Sequence, residues 1–225
     1  MVHKIRAAHL CLITAMSIAG CGGGGGGSNP VPQQNLQSAR APSEPMAVSS
    51  TTLTATDSSG NSWSATYSST PGGMAMFNGQ NANTSAIALT ISENGTVVAT
   101  EDSTAYYLTN PYSPLGLSGT TNGTAWTATI TGYTPLPSTL TVGASGPLES
   151  VTYTDGMGAN IGSLTETYTV TADSPNDLFL NVDAAGSING VQETETLTYS
   201  VASDGTVQAL VRAQITVNGT TLTFT

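Results

Sequence analysis

The chain has 225 residues, with four Lys or Arg against fourteen Asp or Glu, and only 8% of its positions are charged. Both histidines, the sole lysine and Cys11 fall within the first 21 residues, so beyond Cys21 the cations are Arg40 and Arg212 and the formal charge is −12. That stretch cannot displace counterions from phosphates, which excludes nucleic acid as a partner, and it has no basic patch for anionic headgroups. Its serines have no His or Lys base, and neither a His/Cys zinc site nor a disulfide can be assembled from it. The chemistry left is that of carboxylates: an acid/base pair, or calcium held by oxygen ligands.

In chain order, residues 1–20 read as an export signal. His3, Lys4 and Arg6 precede an apolar run from Ala7 to Gly20, too short for the ~20 residues a spanning helix needs. Ile18-Ala19-Gly20-Cys21 resembles the lipobox of bacterial lipoproteins. The resemblance covers these first residues alone. It implies cleavage before Cys21, lipid on that cysteine, and a membrane partner reached through the anchor. Gly22 lacks the aspartate that retains many lipoproteins in the inner membrane, so outer-membrane sorting is expected, facing either the periplasm or the exterior.

Residues 21–49 read as a disordered tether. Gly22–Gly27 holds no single backbone conformation, and Pro30, Pro32, Pro42 and Pro45 keep the rest extended, for a reach of roughly 30 Å.

From 50 to 225 the hydrophobic period becomes two, broken by Gly, Asn, Asp and Pro. This predicts one all-β domain: a mostly antiparallel meander of about ten to twelve strands, as a β-barrel or a two-sheet sandwich. Outward positions rich in Thr and Ser argue against a barrel embedded in lipid. Trp63–Tyr67 and Trp126–Ile130 echo one another, as a duplication would, although Thr-rich strands also converge by composition. Met74 and Met76 could offer thioethers to Cu(I), but packing beside Phe77 is the expected use. A three-residue loop at Glu93-Asn94-Gly95 would set Ile91 against Val97 and Leu89 against Ala99. Tyr106 and Tyr107 should face opposite sides, and Tyr112 should lie in a loop; the three together are candidates for a sugar platform or for the core.

The strongest candidate site residues are Glu149, Glu166, Glu193 and Glu195, each on a face otherwise apolar. If Val151 pairs with Leu164, Glu149 falls opposite Glu166, and two facing carboxylates raise one another's pKa as an acid/base pair requires. The plainer expectation is that these glutamates sit at strand ends, where the inward side meets water. Asp173, Asn176 and Asp177 are the candidate calcium ligands, in a segment that also has ordinary turn chemistry. No other cofactor is expected. Arg212 should pair with a surface carboxylate. Toward the end of the chain, a loop at Ser203-Asp204-Gly205 would pair Val201 with Val207 and Leu197 with Val211. Asn218-Gly219 would make a two-residue turn pairing Val217 with Thr220, Ile215 with Leu222 and Ala213 with Phe224.

These readings converge on a non-catalytic lipoprotein whose β domain binds a glycan, an envelope protein or a small neutral ligand. The alternatives are a carboxylate enzyme acting on a glycan and a structural cell-surface coat protein.

Overall fold

The computed structural model describes residues 33–35, 49–109, 111–137, 139–174, 177–201, 207–217 and 219–225. The signal, Cys21 and most of the tether lie outside them. The strands in order are β1 (Gln33–Asn35), β2 (Ser49–Thr56), β3 (Ser62–Phe77), β4 (Gln80–Glu93), β5 (Thr96–Thr109), β6 (Tyr112–Thr121) and β7 (Thr124–Thr131). They continue with β8 (Thr139–Thr141), β9 (Ser145–Asp155), β10 (Asn160–Ser174), β11 (Asp177–Ile188), β12 (Val191–Val201), β13 (Val207–Val217) and β14 (Thr220–Phe224).

Twelve of these form one antiparallel meander in sequence order, from β2 to β14, and the sheet curls into a nearly closed barrel. Thr54 and Thr225 exchange both backbone hydrogen bonds, at 3.0 and 2.9 Å, where β2 meets the end of β14. β1 pairs with β8 as a small separate ribbon. The sandwich alternative is therefore set aside in favour of a barrel.

Alternation builds the wall. Trp63, Ala65, Tyr67 and Ser69 of β3 point inward and are buried, while Ser62, Ser64, Thr66 and Ser68 face out. A single cluster of buried side chains fills the interior, with Trp63, Trp126, Tyr153, Tyr199 and Phe224 among its large members. Twelve strands enclose more space than the eight that aliphatic side chains just fill, so aromatic bulk is needed. The β7–β9 connection adds Leu140, fully buried, and packs Tyr133 and Leu136 against the core. It is tied to β9 and β10 by backbone bonds from Thr134 to Leu148 and between Val170 and Gly143–Ala144.

Most tight turns are Asn-Gly pairs. Asn78-Gly79, Asn94-Gly95, Asn122-Gly123 and Asn189-Gly190 all have positive φ, 48–52° at Asn and 75–82° at Gly. Both positions of a type I′ turn require this, and its twist suits a hairpin. The pairing after Asn218-Gly219 follows the expected register, with Val217 opposite Thr220, Ile215 opposite Leu222 and Ala213 opposite Phe224.

Two expected registers are corrected. At β4–β5 the turn has two residues rather than three: Glu93 pairs with Thr96 and Ser92 with Val97, and a bulge then sets Ile91 against Ala99 and Leu89 against Glu101. At β12–β13 Val201 does pair with Val207, but two irregularities carry Leu197 to Ala213 instead of Val211. Each bulge adds one residue on one strand. The apolar face is thereby kept inward, while Val211 is left 37% exposed.

Candidate functional site

Five glutamates point into the barrel. Glu101, Glu149, Glu166, Glu193 and Glu195 are 8% exposed or less, and Glu166 only 1%. The pairing of Val151 with Leu164 holds, and Glu149 stands opposite Glu166. The same row runs on through Ala184 of β11 to Glu195 of β12. One step along, Glu193 sits opposite Gly186. The small residues of β11 thus leave room beside the carboxyl groups of its neighbours. The expectation of wet strand ends is corrected: these side chains lie inside the barrel.

Glu101 of β5 joins the group, a residue that the sequence reading did not single out. The signal that could have found it is its phase: it shares the inward face of Ala99, Ser103 and Tyr107. Glu101 Oε2 accepts from the Thr121 hydroxyl at 3.2 Å, and Thr121 accepts from the Trp126 indole at 3.0 Å. Glu101 Oε1, Glu149 Oε1 and both oxygens of Glu166 and Glu195 are buried without a hydrogen-bond partner.

Burial pushes every shifted member of this group toward the neutral acid. Loss of water holds Glu149 and Glu166 well above the usual carboxylate range, with Glu166 raising Glu149 further. Glu195 is raised by burial first, then by Glu166, Glu193 and Glu101, which places Glu101 close to β12 across the interior. Phenols border the group. Tyr112 and Tyr133 lie near Glu149, with their rings edge to face at 6.0 Å, and burial raises both. Tyr67 is pushed up to about 12 by burial, and Tyr199 is raised beside it.

Among the described residues no three His, Cys, Asp or Glu side chains are arranged to hold a metal. Of the calcium candidates, Asn176 lies outside the described residues; Asp173 falls near the end of β10, and Asp177 opens β11, paired with Ser174. Met74 and Met76 do not pack beside Phe77 as expected. They are 71% and 61% exposed, because alternation turns Phe77 the other way, onto the ring of Tyr106 at 4.5 Å. Tyr106 does face out and Tyr107 in, but Phe77 covers the outward ring, so it offers no open platform. Tyr112 starts a strand instead of lying in a loop, and its ring is 6.0 Å from Tyr107. Arg212 donates to the Gln214 side chain at 3.0 Å instead of to a carboxylate.

The outer wall is of another kind. Thr52, Thr66, Thr90 and Thr100 stand in one row across β2–β5. On β10–β12 Asp183 accepts from Thr169 and Thr196, and Asn181 accepts from Thr198 and donates to Thr171. Beside the threonine row, an open trough of about 400 Å³ crosses β3–β6, lined by Ser68, Thr70, Ala88, Asp102, Thr104 and Ser118 among others. Its floor includes Gly119, where a Cβ would come within 2.4 Å of the Asp102 carbonyl oxygen. The Tyr106 hydroxyl lies 3.0 Å from that of Ser118.

Fold and site together define an antiparallel β-barrel with a sealed acidic interior and a hydroxyl-covered exterior. No family model, no curated protein and no solved structure matches the chain.

Proposed function

We propose that this is an envelope lipoprotein, held in the outer membrane by lipid on Cys21, whose barrel binds neutral glycans without catalysis. The observation that carries the reading is the trough on β3–β6. Its lining supplies hydroxyl donors and acceptors and a single carboxylate, Asp102, with no cation, as suits recognition of an uncharged polyhydroxylated ligand. Hydrolysis would need the acid and its partner carboxylate to flank the scissile bond. Glu166 and Glu195, at 1% and 2% exposure, are turned away from the outer wall and cannot reach a ligand lying there.

The test is binding of the whole lipidated chain, in detergent, to a panel of neutral polysaccharides and peptidoglycan fragments. Ala88→Arg, which fills the trough from a half-buried position, should weaken binding at least roughly tenfold (about 1.4 kcal/mol) without changing the melting temperature. Binding that is unaffected by Ala88→Arg would overturn the assignment. For the anchor, labelled palmitate should enter the wild type and not Cys21→Ser; equal labelling of both would overturn it.

A further inference from the structure

Two features of the barrel, far apart in sequence, bear on one another. The first is the seam. Every other junction in the meander is a ladder of paired residues, whereas among the described residues β2 and β14 form no such ladder and meet where Thr54 and Thr225 exchange backbone bonds. The Thr54 hydroxyl adds a bond of 3.4 Å to the Thr225 carbonyl. Beside this pair the strands part around a groove of about 460 Å³, lined by Thr56, Ser62, Trp63 and Thr223 among others. The second feature is the carboxyl row Glu149–Glu166–Glu195, with Glu101 and Glu193 beside it and with buried oxygens that nothing bonds on Glu101, Glu149, Glu166 and Glu195.

All the titratable groups that face this row are acids. Tyr112 and Tyr133 approach Glu149 from β6 and the β7–β9 connection. Tyr199 faces Glu166 and Glu195 from β12, with Tyr67 of β3 beside it. Among the described residues the guanidinium is that of Arg212, on the outer face and bonded to Gln214. No cation is therefore at hand to compensate a buried carboxylate, and ionisation must be met by water. Among the junctions of the barrel wall, the seam is the one whose opening breaks the fewest backbone hydrogen bonds.

We propose that the barrel is gated at the β2–β14 seam by the protonation of its interior carboxyl groups, closed while they are neutral and opening there as they ionise. Opening breaks the Thr54–Thr225 pair and wets Trp63, while the ladders of β9–β12 stay intact.

Hydrogen exchange of the lipidated chain in detergent, corrected for intrinsic rates and compared at about pH 6 and about pH 9, tests this. Peptides from β2 and β14 should lose roughly tenfold or more of their protection at the higher pH, with β9 and β10 unchanged. In Glu149→Gln/Glu166→Gln/Glu195→Gln, which is near-isosteric with the neutral acids, that loss should vanish; if the triple variant does not fold, Glu195→Gln should reduce it. Acrylamide should quench Trp63 fluorescence more at high pH in a Trp126→Phe background. Equal protection of β2 and β14 at both pH values, simultaneous loss in all strands, or an unchanged response in the glutamine variants would each overturn the gate. Glycan binding is not read here, so the gate and the trough stand or fall separately.

Discussion

At the scale of single residues, the interior glutamates set the pH response. An acid whose folded-state pKa is raised contributes full stability below its unfolded value, near 4.5 for Glu. It loses that contribution as pH climbs through the folded value, because the native state then holds protons that the unfolded chain has released. The melting temperature should therefore be highest near pH 4.5 and fall as pH rises from there. Each such group accounts for about 1.4 kcal/mol per pH unit over its window. Glu166→Gln should flatten this fall by about that slope, matching the wild type in acid and exceeding it in alkali, as thermal melts across pH would reveal. A Glu166→Gln curve parallel to that of the wild type would show that the carboxyl group does not titrate in the fold. Asp57 behaves oppposite in sign. Its carboxylate is held down to about 2 chiefly by the Asn61 side chain, with the Asn61 and Ser59 amides and the Trp63 indole contributing. Asp57→Ala should lower the melting temperature at neutral pH, with the deficit closing only in strong acid.

At the scale of elements, turns and small residues decide the register. Gly190 holds φ 75° in the β11–β12 turn with open space around its α-carbon. Gly190→Ala should thus cost about 1 kcal/mol from backbone strain alone. Gly186 differs: a Cβ there would come within 2.1 Å of the Ser163 carbonyl oxygen. Gly186→Ala should cost about 1–3 kcal/mol and disturb β10–β11 pairing; denaturant melts of the two variants would rank them. Much of this level could be read from the chain itself. Alternation located the strands, and the Val151–Leu164 pairing put Glu149 opposite Glu166. Bulges were not legible, because a bulge is a compromise between a turn's fixed geometry and a buried face on the far strand. Asn94-Gly95 shows this: the I′ turn takes two residues, and the β5 bulge restores the phase that a longer loop would have provided. The depth of the glutamates was also hidden. A period-two pattern says which way Glu166 points, but the closure that seals it belongs to strands far away in the chain.

At the scale of the whole molecule, the two surfaces divide the work. The exterior gathers hydroxyls and amides that satisfy one another across strands, and the interior gathers acids beside aromatic rings. Composition foretold an acidic domain poor in cations, and the barrel explains how it tolerates that excess: neutral acids carry no charge to repel. The proposed lipid on Cys21, with its glycine tether, would hold this body clear of the bilayer.

The order of the meander also governs how the barrel can be assembled. Within the twelve-stranded sheet each strand pairs with the sheet strand that precedes it in the chain, β7 with β9 across the intervening β8, so the wall can grow hairpin by hairpin from short-range contacts, which form quickly. The junction of Thr54 with Thr225 joins residues 171 positions apart and bears the largest entropy of ring closure in the domain. It has to come last. Until then the chain is a curled open sheet with two raw edges, and its time in that state should scale with the stability of one stitch. A variant that weakens this stitch would leave the strand ladders standing yet prolong the interval in which two such sheets can join edge to edge.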